Sequence, residues 1–175
     1  MTQLVHARVT TPIGEMVALA SDRGLCALEF AGPKRRARLD KRLGRWFPSH
    51  TISEGNAPAI VQARRWLEQY FGGVRPDIDV ALDMPGAPFE QRVWKALLGI
   101  PLGHTTSYGA IAKTLGDAGA SRAVGLANGA NPIAIIVPCH RVIGSDGSLT
   151  GYGGGLDRKT WLIDHERRWR TGTLF

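Results

Sequence analysis

Apolar and polar positions change rhythm along the chain, and the rhythm predicts its elements. Leu4-Val5-His6-Ala7-Arg8-Val9, Met16 to Ala20 and Leu25 to Phe30 are strand-like runs. A Thr-Pro-Ile-Gly turn and a Ser-Asp-Arg-Gly turn separate them, so a three-stranded meander is expected. Residues 34–45 carry Leu39 and Leu43, with Trp46 just beyond, at helical spacing. Pro58 to Phe71 sets Ile60, Ala63, Leu67, Tyr70 and Phe71 on one face and stops at Gly72-Gly73, as a helix C-terminus does. Val74 to Gly86, rich in Asp and Pro, reads as an extended linker. Past it, Pro88 to Leu98 is a helix opened by proline, with Phe89, Val93, Trp94, Leu97 and Leu98 as its apolar face. Ser107 suits the cap of a short helix through Leu115 that has Tyr108 in its first turn. Gly116 to Gly119 turns the chain into a second short helix, Ser121 to Asn128. That pair has the outline of a helix-turn-helix, an outline that other helical hairpins share. Arg158 to Arg168 is the last helix, with Trp161, Leu162 and His165 along one side. The fold class expected is α/β (α+β) in two domains, a sheet-plus-helix domain at 1–85 and a mainly helical one at 86–175.

Charge changes this picture only locally. The net charge is +7, and residues 34–45 hold seven Lys or Arg against one Asp. From Ala87 onward ten Lys or Arg face six Asp or Glu, a milder excess. A basic chain suits a polyanion partner, and the basic face at residues 34–45 could touch DNA, but a helix with one apolar stripe and a solvated basic face is the more common explanation. The longest apolar run, Ile133 to Val137, is far too short to span a bilayer. The start, Met-Thr-Gln-Leu-Val-His, has none of the marks of a signal peptide. Two cysteines, Cys26 and Cys139, are too few for a disulfide scaffold or an all-cysteine zinc site. Two free thiols in a reducing, cytoplasmic setting are expected, with Cys26 in a core strand.

Candidate chemistry sits in Asn131-Pro-Ile-Ala-Ile-Ile-Val-Pro-Cys-His-Arg-Val142. Thiolate is the nucleophilic form of cysteine, and an imidazole can take the thiol proton directly or through one water. Neighbours in a strand point to opposite sides, so Cys139 and His140 cooperate only if the chain turns there. Pro138 and the glycines downstream make a turn plausible; a buried structural Cys beside a surface His is the other reading. A catalytic imidazole needs an acceptor on its second nitrogen. Glu166, in Trp161-Leu-Ile-Asp-His-Glu166, has the reach to fold back as that acceptor or to stay an exposed helix carboxylate. Gly151-Tyr-Gly-Gly-Gly155 is either a loop whose backbone approaches a flat ligand or a plain surface loop.

Pro138-Cys-His-Arg-Val142, preceded by Asn131-Pro132 and followed by GYGGGLDRK and WLIDHE, resembles the O6-alkylguanine-DNA alkyltransferase family, most closely its stand-alone bacterial members. PFEQRVWKALLGIPLGHTTSYGAIA and SRAVGLANGANP resemble it too, so strong motifs run from Pro88 to Glu166, while the first 85 residues match in general outline. The resemblance implies a ribonuclease-H-like N-terminal domain and a winged-helix C-terminal domain. It implies direct-reversal DNA repair: Cys139 takes the alkyl group from guanine O6, irreversibly and once per molecule, from a base flipped out of duplex DNA. His140 would act as base through a water, Glu166 would fix the imidazole, Asn131 would brace the turn, and Tyr108 would hydrogen-bond the base. Val142, Tyr152 and Gly153 would line the base pocket, with backbone of Cys139 and Val142 reading the exocyclic amine and the loop near Gly153 offering an N–H to O6. Ser121, Arg122, Ala123, Gly125 and Ala127 would face DNA, with Arg122 filling the gap left by the base.

Some relatives have Ser in place of Gly153, which puts loop stiffness and pocket width in question. Some bind a structural zinc, but the required Cys and His do not line up here, so neither metal nor other cofactor is expected. The implied partner is double-stranded DNA containing O6-alkylguanine, bound by a monomer in the cytoplasm, with no membrane; cooperative assembly on DNA and activity on O4-alkylthymine stay open. Three other readings compete. They are a non-catalytic alkyltransferase-like damage binder, which would lack the acceptor cysteine, a cysteine hydrolase using Cys139, His140 and Glu166, and a helix-turn-helix regulator.

Overall fold

The computed structural model of the protein describes residues 1–171, so the last four positions of the expected second domain lie outside the described residues. The chain forms two compact units, Met1–Pro85 and Gly86–Phe175.

The first unit is built on four strands rather than three. Strands β1 (Thr2–Thr11), β2 (Gly14–Ala20) and β3 (Leu25–Phe30) form the expected antiparallel meander. Helix α1 (Pro33–Trp46) follows, then strand β4 (His50–Glu54), then helix α2 (Pro58–Phe71). Strand β4 pairs in parallel with β1 from Thr2 to His6, giving the order β3-β2-β1-β4. Leu39 and Leu43 of α1 pack with Leu4, Leu19, Cys26 and Ala27, while α2 buries Ala59, Ile60, Ala63, Leu67 and Tyr70. Strand β3 is buried along its whole length, consistent with contacts to both helices.

Two expectations for this unit need correction. The basic helix is not wholly solvated, because Arg42 is buried and donates to Glu29 Oε1 at 2.9 Å. The 74–86 segment is not a free linker either. Leu25 N–H donates to the Ala81 carbonyl and Asp83 N–H to the Leu25 carbonyl, at 2.7 and 2.8 Å, so the segment is stitched onto β3. Gly24 permits this approach, since a Cβ there would sit 2.6 Å from the Ala81 oxygen.

The second unit is helical, as expected. It comprises α3 (Pro88–Leu98), a short β5 (Thr106–Ser107), α4 (Tyr108–Thr114), α5 (Ser121–Gly129), a single 3₁₀ turn (Cys139–Arg141), a short β6 (Val142–Ile143) and α6 (Leu156–Thr171). Ser107 caps α4 by accepting from the Ala110 N–H at 3.1 Å. Helix α3 buries Val93, Trp94 and Leu97; Leu98, expected on that face, is exposed. Trp94 Nε1–H donates to the Ala127 carbonyl at 2.9 Å and ties α3 to α5. β5 and β6 pair in parallel, joining the start of α4 to the residue after the 3₁₀ turn. No helix among the described residues is long and apolar enough to cross a membrane.

Candidate active site

The run Ile133 to Val137 reads as a strand in sequence but folds as a chain of turns, with Ile135 at φ 71°. A β-branched residue in that region is strained, at a cost of about 1–3 kcal/mol that the surroundings must hold. Asn131 supplies part of the restraint. Its amide donates to the Val137 carbonyl at 2.8 Å and to the Ile133 carbonyl at 3.2 Å, while its Oδ1 accepts from the Ile133 N–H at 3.0 Å. The chain therefore reaches Pro138 already bent, and Cys139–Arg141 forms one 3₁₀ turn instead of a strand. The opposed side chains that a strand would give Cys139 and His140 are thereby avoided.

All three residues of the turn are buried, Cys139 at 7% exposed and His140 at 0%. His140 Nε2 lies 2.6 Å from Glu166 Oε1. A carboxylate only accepts, so Nε2 carries the proton and Nδ1 is left as an acceptor. That Nδ1 is buried and has no hydrogen-bond partner. Burial lowers the basicity of His140, with opposition from Glu166, so the ring is held towards its neutral form.

Glu166 has a second partner that the sequence reading did not anticipate. Arg141 Nε donates to Oε2 at 2.8 Å and its Nη2 to Oε1 at 3.0 Å, while Nη1 donates to the Ile100 carbonyl at 2.7 Å. Burial would raise the Glu166 carboxyl, but His140 and Arg141 outweigh it and hold the group well below the usual carboxylate range. The two-point Arg141 contact keeps Glu166 ionised even while His140 is neutral.

Lys159 is the other group missed. It is fully buried on α6, and its ammonium donates to the carbonyls of Val142 (2.6 Å), Thr150 (2.9 Å) and Gly151 (3.4 Å). Burial lowers its pKa, while Cys139 acts on it in the opposite sense, as a nearby thiolate would. The three carbonyls fix the ammonium in place, and a buried positive charge there would favour an anion at Cys139 once the thiol gives up its proton. The two signals in sequence were a lysine in the first turn after a glycine run and an arginine beside the Cys-His pair, each ambiguous without its distant partner.

The remaining expected residues divide by location. Tyr108 Oη donates to the Thr150 carbonyl at 3.1 Å, so Tyr108 and Lys159 hold the same loop carbonyl. The 151–155 loop is thus anchored rather than a plain surface loop, with Gly151 at φ 56° and Gly155 at φ 95°. Within it Tyr152 is half-buried and Gly153 exposed. Val142 is buried and its carbonyl already accepts from Lys159; the Cys139 carbonyl accepts from Asn128 Nδ2 at 3.4 Å. The Cys139 carbonyl also accepts from the Val142 N–H that closes the 3₁₀ turn. On α5, Arg122 and Ala123 are exposed, Ser121 and Gly125 are half-buried, and Gly125 lies beside the Tyr108 ring. Ala127 is a correction: it is buried, on the packed face that Trp94 holds, so its small side chain serves helix packing. Leu126, not anticipated, is 73% exposed one turn after Arg122. No group of three or more metal-binding side chains occurs among the described residues.

Comparison with known proteins bears on both units. Residues 88–168 match the family described as 6-O-methylguanine DNA methyltransferase, DNA binding domain, and residues 4–84 match 6-O-methylguanine DNA methyltransferase, ribonuclease-like domain. A methylated-DNA–protein-cysteine methyltransferase of Mycobacterium leprae is 44% identical over 165 residues, covering 94% of this chain and 93% of its own. One from Salmonella typhimurium is 40% identical over 168 residues, covering 95% and 97%. The crystal structure of Mycobacterium tuberculosis OGT in complex with DNA superposes with a TM-score of 0.77 at 44% identity, over 94% of this chain and 92% of that one.

Proposed function

The chain belongs to the 6-O-methylguanine DNA methyltransferase family and is a methyltransferase of the methylated-DNA–protein-cysteine class, and from that premise we propose that Cys139 is the acceptor. One observation carries the residue assignment. A buried thiol is followed by a buried imidazole whose Nε2 is locked on Glu166 and whose Nδ1 remains an open acceptor. In the reaction the thiol proton passes through a water to His140 Nδ1, and Lys159 stabilises the thiolate left behind. Sulfur then attacks the alkyl carbon of O6-alkylguanine. The S–C bond forms as the C–O6 bond breaks, the electron pair goes to the purine, and the departing guanine collects the proton that the thiol gave up. Tyr108 turns from the Thr150 carbonyl to donate to the base. Asn131 keeps the turn in shape throughout.

The product is a neutral thioether, a poor leaving group that water does not displace, so each molecule turns over once. The target atom lies inside a duplex, which requires the nucleotide to be rotated out at a cost of about a few kcal/mol. Arg122, exposed at the start of α5, offsets part of that cost by entering the stack. The partner is double-stranded DNA carrying O6-alkylguanine, met by a monomer in the cytoplasm. Ser121 and Ala123 flank Arg122 at the groove, Gly125 gives α5 a close approach beside Tyr108, and Val142, Tyr152 and Gly153 border the extruded base.

Intact mass after mixing with an oligonucleotide containing O6-methylguanine tests this reading. One added methyl, mapped to Cys139 and absent from Cys139→Ser, is expected, with no second addition in excess substrate. Binding without mass gain, or repeated turnover, would defeat it. Arg122→Ala is expected to slow repair in duplex DNA about tenfold or more while reaction with free O6-benzylguanine is kept; equal loss on both would remove the base-flipping role.

A further inference from the structure

Asn128 lies on the buried face of α5, and its side chain bonds that helix directly to the nucleophile's backbone. Its Nδ2 donates to the Cys139 carbonyl, which can only accept, so the orientation of the amide is fixed and Oδ1 faces away from that oxygen. That Oδ1 is buried without a hydrogen-bond partner, and so is His140 Nδ1. Buried acceptors are rarely left open, and a buried water typically makes about three hydrogen bonds. Asn128 and His140 thus present two open acceptors, one on the side chain that holds the Cys139 carbonyl and one on the residue that follows Cys139.

We propose that Asn128 is a positioning residue whose Oδ1 anchors the water that carries the proton from Cys139 to His140. This rests on the reading of Cys139 as alkyl acceptor and adds a third partner to its proton path. Before transfer, the water accepts from the thiol S–H and donates one O–H to His140 Nδ1 and the other to Asn128 Oδ1. After transfer it accepts from Nδ1–H and donates to the thiolate, and the O–H on Asn128 has not moved. Asn128 therefore fixes the one water hydrogen that stays in place while the others exchange. The charged groups acting on His140 are Glu166 and Lys159 from α6 and Arg141 from the turn; Lys159 is also coupled to Cys139, and Tyr108 of α4 lies on the neighbouring loop carbonyl. The Asn128 amide is neutral, so its removal changes the path without removing a charge. The link also gives the helix that carries Arg122 a direct hold on the reacting residue.

The test measures the rate of Cys139 alkylation by free O6-benzylguanine against pH, in wild type, Asn128→Leu and Asn128→Ser. Free base takes DNA affinity out of the comparison. For Asn128→Leu we expect a rate about tenfold lower near neutral pH, since positioned proton transfer is worth about 10²–10⁴-fold in full. Its acid limb is expected to move about half a pH unit or more to higher pH, because the ion pair is less well supported. Asn128→Ser keeps a hydroxyl acceptor and is expected to recover part of both. A pH profile that superposes on wild type, with or without a uniform drop in rate, would overturn the proposal and leave Asn128 a packing residue. If Asn128→Leu does not fold, Asn128→Ala is read in the same way. Failure of the wild type itself to react is distinguishable from these outcomes; it would remove the parent reading and this inference with it.

Discussion

The two cysteines are both buried, at 0% for Cys26 and 7% for Cys139, yet their surroundings oppose each other. Cys26 sits at an irregularity in the sheet, where Leu19 pairs with Ala27 and Ala20 with Leu25, so no residue of β2 faces it. Its sulfur is near the Gly24 carbonyl and the Asp83 carboxylate, at 3.6 and 3.9 Å. Burial above all, with the Asp83 charge added, pushes this thiol up to about 11. Cys139 is coupled instead to the positive charge of Lys159 and is followed by an imidazole, held towards its neutral form, whose Nε2 is committed to Glu166. Burial alone does not set a thiol's reactivity; the sign of the charge buried with it does.

The largest effect this comparison predicts is in labelling. With limiting iodoacetamide at pH 7, Cys139 should be carboxamidomethylated about a thousandfold faster than Cys26, as read by peptide mass mapping. Comparable rates would abolish the contrast. Next comes the cost of disorganising the charges around Cys139. Glu166→Gln keeps the shape but leaves the buried Arg141 guanidinium without its counter-ion, so unfolding in urea should show a loss of about 3 kcal/mol. A loss below about 0.5 kcal/mol would mean that the Arg141 charge is solvated, and the site would lose its rigid base.

The same contrast explains which parts of the molecule could be read in advance. The meander, the capped helix at Ser107 and the Cys-His turn depend on residues close together in sequence, and their patterns are intact there. Strand β4 was not anticipated because His50–Glu54 shows no alternation; four of its five residues are exposed, and it exists only by pairing with β1. The Ile133 to Val137 run has the composition of a strand, but the Asn131 side chain captures its backbone groups and turns it. Glu166 was found because a catalytic imidazole needs a partner. Arg141 and Lys159 were not, because their partners lie 25 and up to 41 residues away for Arg141, and 8 to 17 residues away for Lys159. Asp83 at the edge of β3 is the same kind of miss, a linker residue by composition that reaches Ser21 and Cys26 in space.

A smaller effect belongs to Cys26 itself. Its folded pKa lies above the ordinary value of 9.0, so the native state retains a proton that the unfolded chain releases first. The associated stability is complete below about pH 9 and is lost as pH rises towards 11. Two pKa units correspond to about 2–3 kcal/mol. Melting temperature should therefore fall over that window, and Cys26→Ala should flatten the fall relative to its own value at pH 8. An unchanged slope in the variant would mean that another group governs alkaline unfolding.

The finest test of the contrast is Lys159→Met, which removes the cation near Cys139 while keeping a long side chain. Iodoacetamide should then react with Cys139 about tenfold more slowly at pH 7, a loss equivalent to about one pKa unit in the thiol. The carbonyls of Val142, Thr150 and Gly151 lose a shared donor, so the loop should loosen as well, and rate at one pH does not separate the two effects. The pH profile does. If Lys159 acts by its charge, the variant lags at neutral pH and the deficit narrows as pH rises and the thiol ionises unaided. If Lys159 acts only as a staple, the deficit persists unchanged at every pH, and the difference between the two cysteines must then come from His140 and the turn alone.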